Sequence, residues 1–296
     1  MNIVIMNRPL LRCIRATLSY DGSGFKGSQL QKTERTVLSE VNRALSKVLA
    51  HPVRVKVASR TDAGVHATGQ VIAFRTSAPR TADEIYRGLN GLLPGDVRVT
   101  ECSETDLSFH PRHSAIAKEY LFRILRAKEL PPTSRHYVLY IEEHKPFDIG
   151  VLAKTAKELE GEHDFRSFSP RLEPGENPVK RIHRVEVTED APLVGVRFVG
   201  TGFLYQMVRR MMGVMIAIVQ GREKRDAVTL ALENPEKGSV RFNASPKGLF
   251  LEKVFYDRDE LNERVGKKRI KVREINGSDD VPSRGDTRDG KDIHTK

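Results

Sequence analysis

One order of elements is written twice along this chain. The first run opens with the alternating apolar stretch "CIRATLSYD", followed by "TVLSEVNRALSKVL", whose Val37, Val41, Leu45 and Val48 recur at helical spacing. Two further strand-like segments, "VRVKVAS" and "QVIAFRT", precede a helix at "ADEIYRGLNGLL" and a strand at "VRVTECSE". The second run repeats the order: strand "KEYLFRILR", helix "DIGVLAKTAKELEG", strands "HRVEVTED" and "VGVRFVG", helix "LYQMVRRMMGVMIAIVQG" and strand "GLFLEKVFYD". Each run reads β-α-β-β-α-β.

That order restricts the chain to the ferredoxin-like or RRM-like unit, an antiparallel sheet with helices packed on one face. The expected fold is therefore α+β, with two such halves, joined edge to edge or facing each other, flanking a central basic cleft. Residues 1–112 form the expected first half and residues 113–258 the second, with the junction inside "SFHPRHSAIAK". At 296 residues and 39% hydrophobic content, the chain has material for a core without covalent staples.

Charge narrows the class of partner. The chain carries a net charge of +11. Residues 1–257 hold 39 basic and 30 acidic residues, so a +9 excess lies within the folded part and fits a polyanionic partner such as nucleic acid. The segment 259–296 mixes both signs, has no aromatic residue and loses periodicity after Ile275, which predicts a flexible tail, with at most a short helix in "RDELNERVGKK". Cys13 and Cys102 are too few for a disulfide framework or a cysteine-based metal site, and no apolar stretch approaches 18 residues, so a soluble cytoplasmic protein is expected.

Three motifs fit their usual chemistry poorly. "GSGFKG" matches G-x-G-x-x-G after a strand, but the next helix starts near Val37, too far on for its N-terminus to meet a pyrophosphate. His110 and His113 in "HPRH" lack a neighbouring acidic or cysteine ligand. Met207, Met211, Met212 and Met215 sit at spacings that core packing explains.

Asp62, in "ASRTDAGVHATGQV", closes the segment predicted as a strand and passes directly to Ala63 and Gly64. A turn residue bonding its own backbone would look the same locally. Small neighbours also let a substrate approach closely. Arg209 and Arg210 interrupt an otherwise apolar helix, and a guanidinium turned inward needs an anion. An ionised carboxylate beside such an arginine could serve as a nucleophile at an electrophilic sugar or pyrimidine carbon.

Six segments occur together in one order: "YDGSGFKGSQLQ", "SRTDAGVHATGQV", "FHPRHSAIAKEYLFRI", "GEHDFRSFS", "FLYQMVRRMMG" and "KGLFL". In these segments, spanning about residues 12–256, the chain resembles the TruA-type tRNA pseudouridine synthases. The resemblance implies two RRM-like halves, a homodimer, no cofactor and no metal, and isomerisation of uridine to pseudouridine in the tRNA anticodon stem-loop. It implies that Asp62 is the catalytic aspartate and Tyr120 the tyrosine packed on the target base. Arg209 would be the basic partner of the aspartate and Arg60 the arginine beside the flipped nucleotide. Two positions depart from the pattern: Ser28 stands where a tryptophan is frequent, and Ser59 where glycine is usual.

The implied reaction suits the residues. Breaking the N-glycosidic bond, turning the uracil and rejoining it through C5 needs no redox step and no water, so one carboxylate in a water-poor pocket suffices. Attack at C1′, addition at C6 and proton abstraction all use the same group. A glycosidase would need a second carboxylate or a metal-bound water. A non-catalytic tandem RRM protein would fit the charge and element order, but neither half carries the aromatic RNP strand that stacks bases.

Overall fold

Strand β1 (Arg12–Tyr20) buries Ile14, Ala16, Leu18 and Tyr20 in alternation, the signature of one face turned to a core. The computed structural model describes residues 10–266, and every element below belongs to them. Helix α1 (Val37–Leu49) starts at Thr36, whose hydroxyl accepts from the Ser39 amide while Ser39 returns the bond to the Thr36 amide. After β2 (Lys56–Val57) and β3 (His66–Thr76), helix α2 (Ala82–Leu92) starts on a second reciprocal cap, Thr81 with Glu84. Strand β4 (Val97–Thr105) closes the first run.

The second run comprises β5 (Ala117–Ala127), β6 (Leu139–Glu142), α3 (Ile149–Glu158), β7 (Gly161–Asp164), β8 (Val179–Asp190), β9 (Leu193–Gly200), α4 (Met207–Val219), α5 (Ala227–Glu233) and β10 (Leu249–Phe255). Helix α1 packs on α2, and α3 on α4. In α4 every residue except Arg209 and Arg210 is buried, the four methionines included.

All strands belong to one ten-stranded sheet ordered β4-β1-β3-β10-β5-β9-β8-β7, with β2 on β3 and β6 on β5. Each run therefore has its fourth strand beside its first and its third beside its second, as expected for the split β-α-β unit. The two runs join edge to edge through a parallel pairing of β10 with β3 at His66 and Ala67. This junction explains a departure from expectation: the strand predicted over 53–59 shrinks to Lys56–Val57. β2 pairs with β3 only at Ile72 and Ala73, because β10 takes the other end of the same edge. Strands β6 and β7 and helix α5, all short, were not anticipated.

The segment expected to be flexible from Asp259 starts instead with the short helix allowed for "RDELNERVGKK". Residues Arg258–Gly266 form helix α6, and Leu261 packs with Ala117, Val199 and Phe255. Arg264 donates to both carboxylate oxygens of buried Glu119, at 2.6 and 3.0 Å. Glu119 alternates with Lys118 and Tyr120 along β5, so α6 covers the sheet face opposite Tyr120. Residues 267–296 lie outside the described residues. Arg264→Ala should cost about 2 kcal/mol in urea unfolding, below the 3–5 kcal/mol of a fully broken buried pair, because Arg197 stays 3.5 Å from Glu119. An unchanged unfolding midpoint would show that α6 contributes nothing to the fold.

Candidate active site

Asp62 lies in the turn Asp62–Val65, closed by the Val65 amide donating to the Asp62 carbonyl at 3.1 Å. The loop leading to it is fixed from three sides. Ser28 donates its amide to the Thr61 carbonyl at 3.0 Å and accepts the Thr61 amide on its hydroxyl at 2.9 Å. The Thr61 hydroxyl meets the Tyr20 phenol at 2.8 Å. Ser59 exchanges two hydrogen bonds with the buried Gln70 amide, at 3.2 and 2.7 Å. The serine in place of the frequent tryptophan thus ties the loop down by hydrogen bonding rather than by ring packing.

Two close backbone approaches set the position of this loop. At Gly27, with φ of +95°, a Cβ would lie 2.8 Å from the Thr61 carbonyl oxygen, so glycine answers both the conformation and the contact. At Gly22 a Cβ would stand 2.0 Å from the Val65 carbonyl oxygen. Neighbouring His66 accepts the Gly22 amide on Nδ1 at 3.1 Å and donates from Nε2 to the His136 carbonyl at 2.8 Å; burial pushes this imidazole below its ordinary pKa, which favours the neutral ring. Gly22→Ala must displace backbone rather than a side chain. A loss of at least about 2 kcal/mol is expected; urea unfolding checks it, and a variant with the parental midpoint would contradict this packing.

Arg209 reaches Asp62 from the first turn of α4. Its Nη1 donates to Asp62 Oδ2 at 3.0 Å, and its Nε donates to the Ala244 carbonyl at 2.9 Å. The side chains are 14% and 20% exposed, so the pair is sheltered yet open to a ligand on one side. Arg210 behaves otherwise than a solvent-facing neighbour would: its Nη1 donates to the Val240 carbonyl and its Nε is buried without a partner. Burial first, and Arg209 second, push its guanidinium below the ordinary arginine pKa.

Tyr120 is 6% exposed, its phenol 2.9 Å from the Ser59 hydroxyl and its ring edge-on to Phe203 at 5.1 Å. Burial drives the phenol well above its ordinary pKa, partly offset by the Ser59 hydrogen bond, with Tyr20 and the Asp62 charge adding to the rise. A phenol held neutral this strongly suits packing and hydrogen bonding rather than proton abstraction. Ser59, the second departure from the family pattern, is the residue that orients it.

These groups line an open cleft of about 1130 Å³ on the helix-bearing side of the sheet. Eight Lys or Arg side chains border it against three carboxylates, those of Asp62, Glu173 and Glu176. Arg60 also lines it, 52% exposed and 3.7 Å from Glu173. The structure thus brings Asp62, Arg209, Tyr120 and Arg60 to one cleft, with Arg209 rather than Arg60 as the ion-pair partner of Asp62. Sequence reasoning missed Ser59 as the partner of Tyr120; a polar residue at a position where glycine is usual was the available signal.

The discounted motifs have other occupations. Residues Gly22–Gly24 form a short 3₁₀ turn capped by Asp21. His110 accepts the Arg112 and His113 amides on Nδ1, at 3.2 and 3.3 Å, which makes it a turn residue. Among the described residues no group of three or more His, Cys, Asp or Glu side chains is arranged to hold a metal ion, and no helix is long and apolar enough to cross a membrane.

A carboxylate clamped by an arginine in a basic cleft, on a sheet built from two split β-α-β units, marks a nucleic-acid-modifying class of protein. A family model described as tRNA pseudouridine synthase matches residues 16–114 and 155–257. The tRNA pseudouridine synthase A of Geobacillus sp. (strain WCH70) is 37% identical over 245 residues, covering 82% of this chain and 98% of that protein. The protein of the same name from Listeria innocua is 37% identical over 248 residues, with the same two shares. The Geobacillus kaustophilus one is 36% identical over 251 residues, 84% of this chain and 96% of that protein. The chain belongs to the tRNA pseudouridine synthase family. The matched segments contain Arg60, Asp62 and Arg209, whereas Tyr120 falls between them.

Proposed function

We propose that this protein isomerises uridine to pseudouridine in the anticodon stem-loop of tRNA, with Asp62 as the nucleophile, Tyr120 packed on the base, Arg209 holding the carboxylate and Arg60 beside the flipped nucleotide. In this reading residues 1–112 supply the carboxylate and 113–258 its arginine, and the protein works in the cytoplasm as a homodimer without metal or cofactor. The observation that carries the reading is the Asp62–Arg209 pair, 3.0 Å apart on the wall of a basic cleft.

The chemistry follows from that pair. The N1–C1′ bond of the target uridine breaks, the uracil turns within the pocket, a C5–C1′ bond forms, the C5 proton leaves to solvent and N1 gains a proton. Nothing is oxidised and no water is added. A carboxylate whose Oδ2 is tied to Arg209 stays fixed in orientation while Oδ1 remains free for the reacting carbon or proton. Neutral Tyr120 supplies an apolar face against which the base can turn without a proton being lost to the phenol. The surrounding cations hold the phosphates and contribute the salt-dependent part of binding.

Tritium release from tRNA carrying [5-³H]uridine tests this directly. The isomerase must deliver tritium to water as C5 is joined to the sugar. A binding protein releases none, and a glycosidase liberates uracil with its tritium in place.

A further inference from the structure

Lys118 lies two residues before Tyr120 on the same face of central strand β5. It is 9% exposed and lines the cleft, and among the described residues its side chain has no hydrogen-bond or ion-pair partner. A lysine this buried without a counter-ion is costly. The charges that reach it are like charges, from Arg112 and Lys180. Arg112 lines the same cleft, and half-buried Lys180 comes from β8. Burial, reinforced by these two, pushes the ammonium down to about 8. Arg112 and Lys118 line the cleft together and Lys180 stands near enough to act on both; Glu176, also on the cleft, acts on Lys180, which leaves Lys118 as the cation with no counter-charge of its own.

We propose that Lys118, Arg112 and Lys180 form a phosphodiester-binding site that grips the RNA backbone next to the nucleotide packed on Tyr120. The proposal rests on the reading of RNA as the substrate. Two residues of strand separate Lys118 from Tyr120 by about 7 Å, comparable with the span from a base to the phosphates flanking its own sugar. A phosphate entering the cleft would supply the missing counter-charge, so the cost of the unpaired ammonium in the free protein is relieved on binding. The sequence carried this signal only as an unremarkable Lys in "AIAKEY".

The test is equilibrium binding of unmodified tRNA across a series of KCl concentrations, together with thermal unfolding, for the parent, Lys118→Met, Lys118→Arg and Lys180→Met. Each lost phosphate contact should flatten the slope of log K against log salt by about 0.7–0.9. Lys118→Met should show that flattening, bind tRNA several-fold more weakly, and unfold at the parental temperature or above it. Lys118→Arg should keep the parental slope. Lys180→Met, at a half-buried position, should flatten the slope by a similar amount and decides the matter if Lys118→Met does not fold. Unchanged slopes in both Met variants, or a Lys118→Met protein that unfolds much earlier with its slope intact, would overturn the site. A parent that releases no tritium but shows these slopes would leave the phosphodiester site standing and remove the isomerase reading.

Discussion

Asp62→Asn should abolish turnover, by at least about 10⁴-fold in kcat as for removal of an enzyme nucleophile, while tRNA binding stays within a few-fold of the parent. The amide has the size of the carboxylate, and its oxygen can still accept from Arg209 Nη1, so the turn Asp62–Val65 and its ties to Ser28 and Tyr20 survive. Loss of one negative charge from a cleft bordered by eight cations cannot weaken an electrostatic contact with phosphate and should slightly strengthen it. The two readings of Asp62 separate here. A turn residue would lose binding and activity together as the loop shifted, and parallel loss of both would reduce Asp62 to that role.

The second large effect is expected at Arg209. Truncation to alanine removes two contacts at once, the bond to Asp62 Oδ2 and the bond to the Ala244 carbonyl that holds the segment after Val240 against α4. The ion pair is neither exposed nor fully enclosed, so its loss should cost on the order of 2 kcal/mol of stability, between the values for surface pairs and for buried ones. Turnover should fall about 100-fold, because a carboxylate without its clamp samples orientations that miss the reacting atom. Arg210→Ala gives the contrast. It removes the bond to Val240 and a buried guanidinium whose Nε has no partner, so a change in stability of about 1 kcal/mol is expected with kcat near the parent. If Arg210→Ala silences the enzyme and Arg209→Ala leaves kcat intact, the clamp has been assigned to the wrong arginine.

The contrast between these arginines also marks what a sequence can and cannot convey. Two arginines in an apolar helix signalled that an inward guanidinium needs an anion, and α4 is buried at every other position. Neither periodicity nor charge could show that Arg210 would find the Val240 carbonyl, 30 residues further along the chain. Helices α1 and α2 were legible nearly to the residue because their signals are local: apolar spacing, and caps at Thr36 and Thr81 that need only the next three residues. Strand β2 was overestimated because its length is limited by β10, which arrives from the far end of the chain to take the rest of the β3 edge. For helix α6 the sequence allowed a short helix but not its docking: its partner, Glu119, is 145 residues away, and its own sequence has little apolar character.

The candidate site divides the same way. The motifs offer Asp62, Tyr120, Arg60 and Arg209 as candidates, and the structure lines one cleft with all four. Ser59 and Lys118 were not among those candidates, because what they do depends on what they face: a phenol for Ser59, and for Lys118 a cleft in which its side chain has no partner. A motif identifies chemistry, while packing decides which neighbours orient it.

The central claim is that a single clamped carboxylate carries out the whole rearrangement within the polynucleotide. The most direct measurement incubates the purified protein with [5-³H]uridine-labelled tRNA in EDTA, with no added cofactor, and compares tritium released with pseudouridine recovered after digestion to nucleosides. One tritium per pseudouridine, with no free uracil, is the predicted result; uracil appearing in solution, or release that depends on an added metal or cofactor, would contradict it.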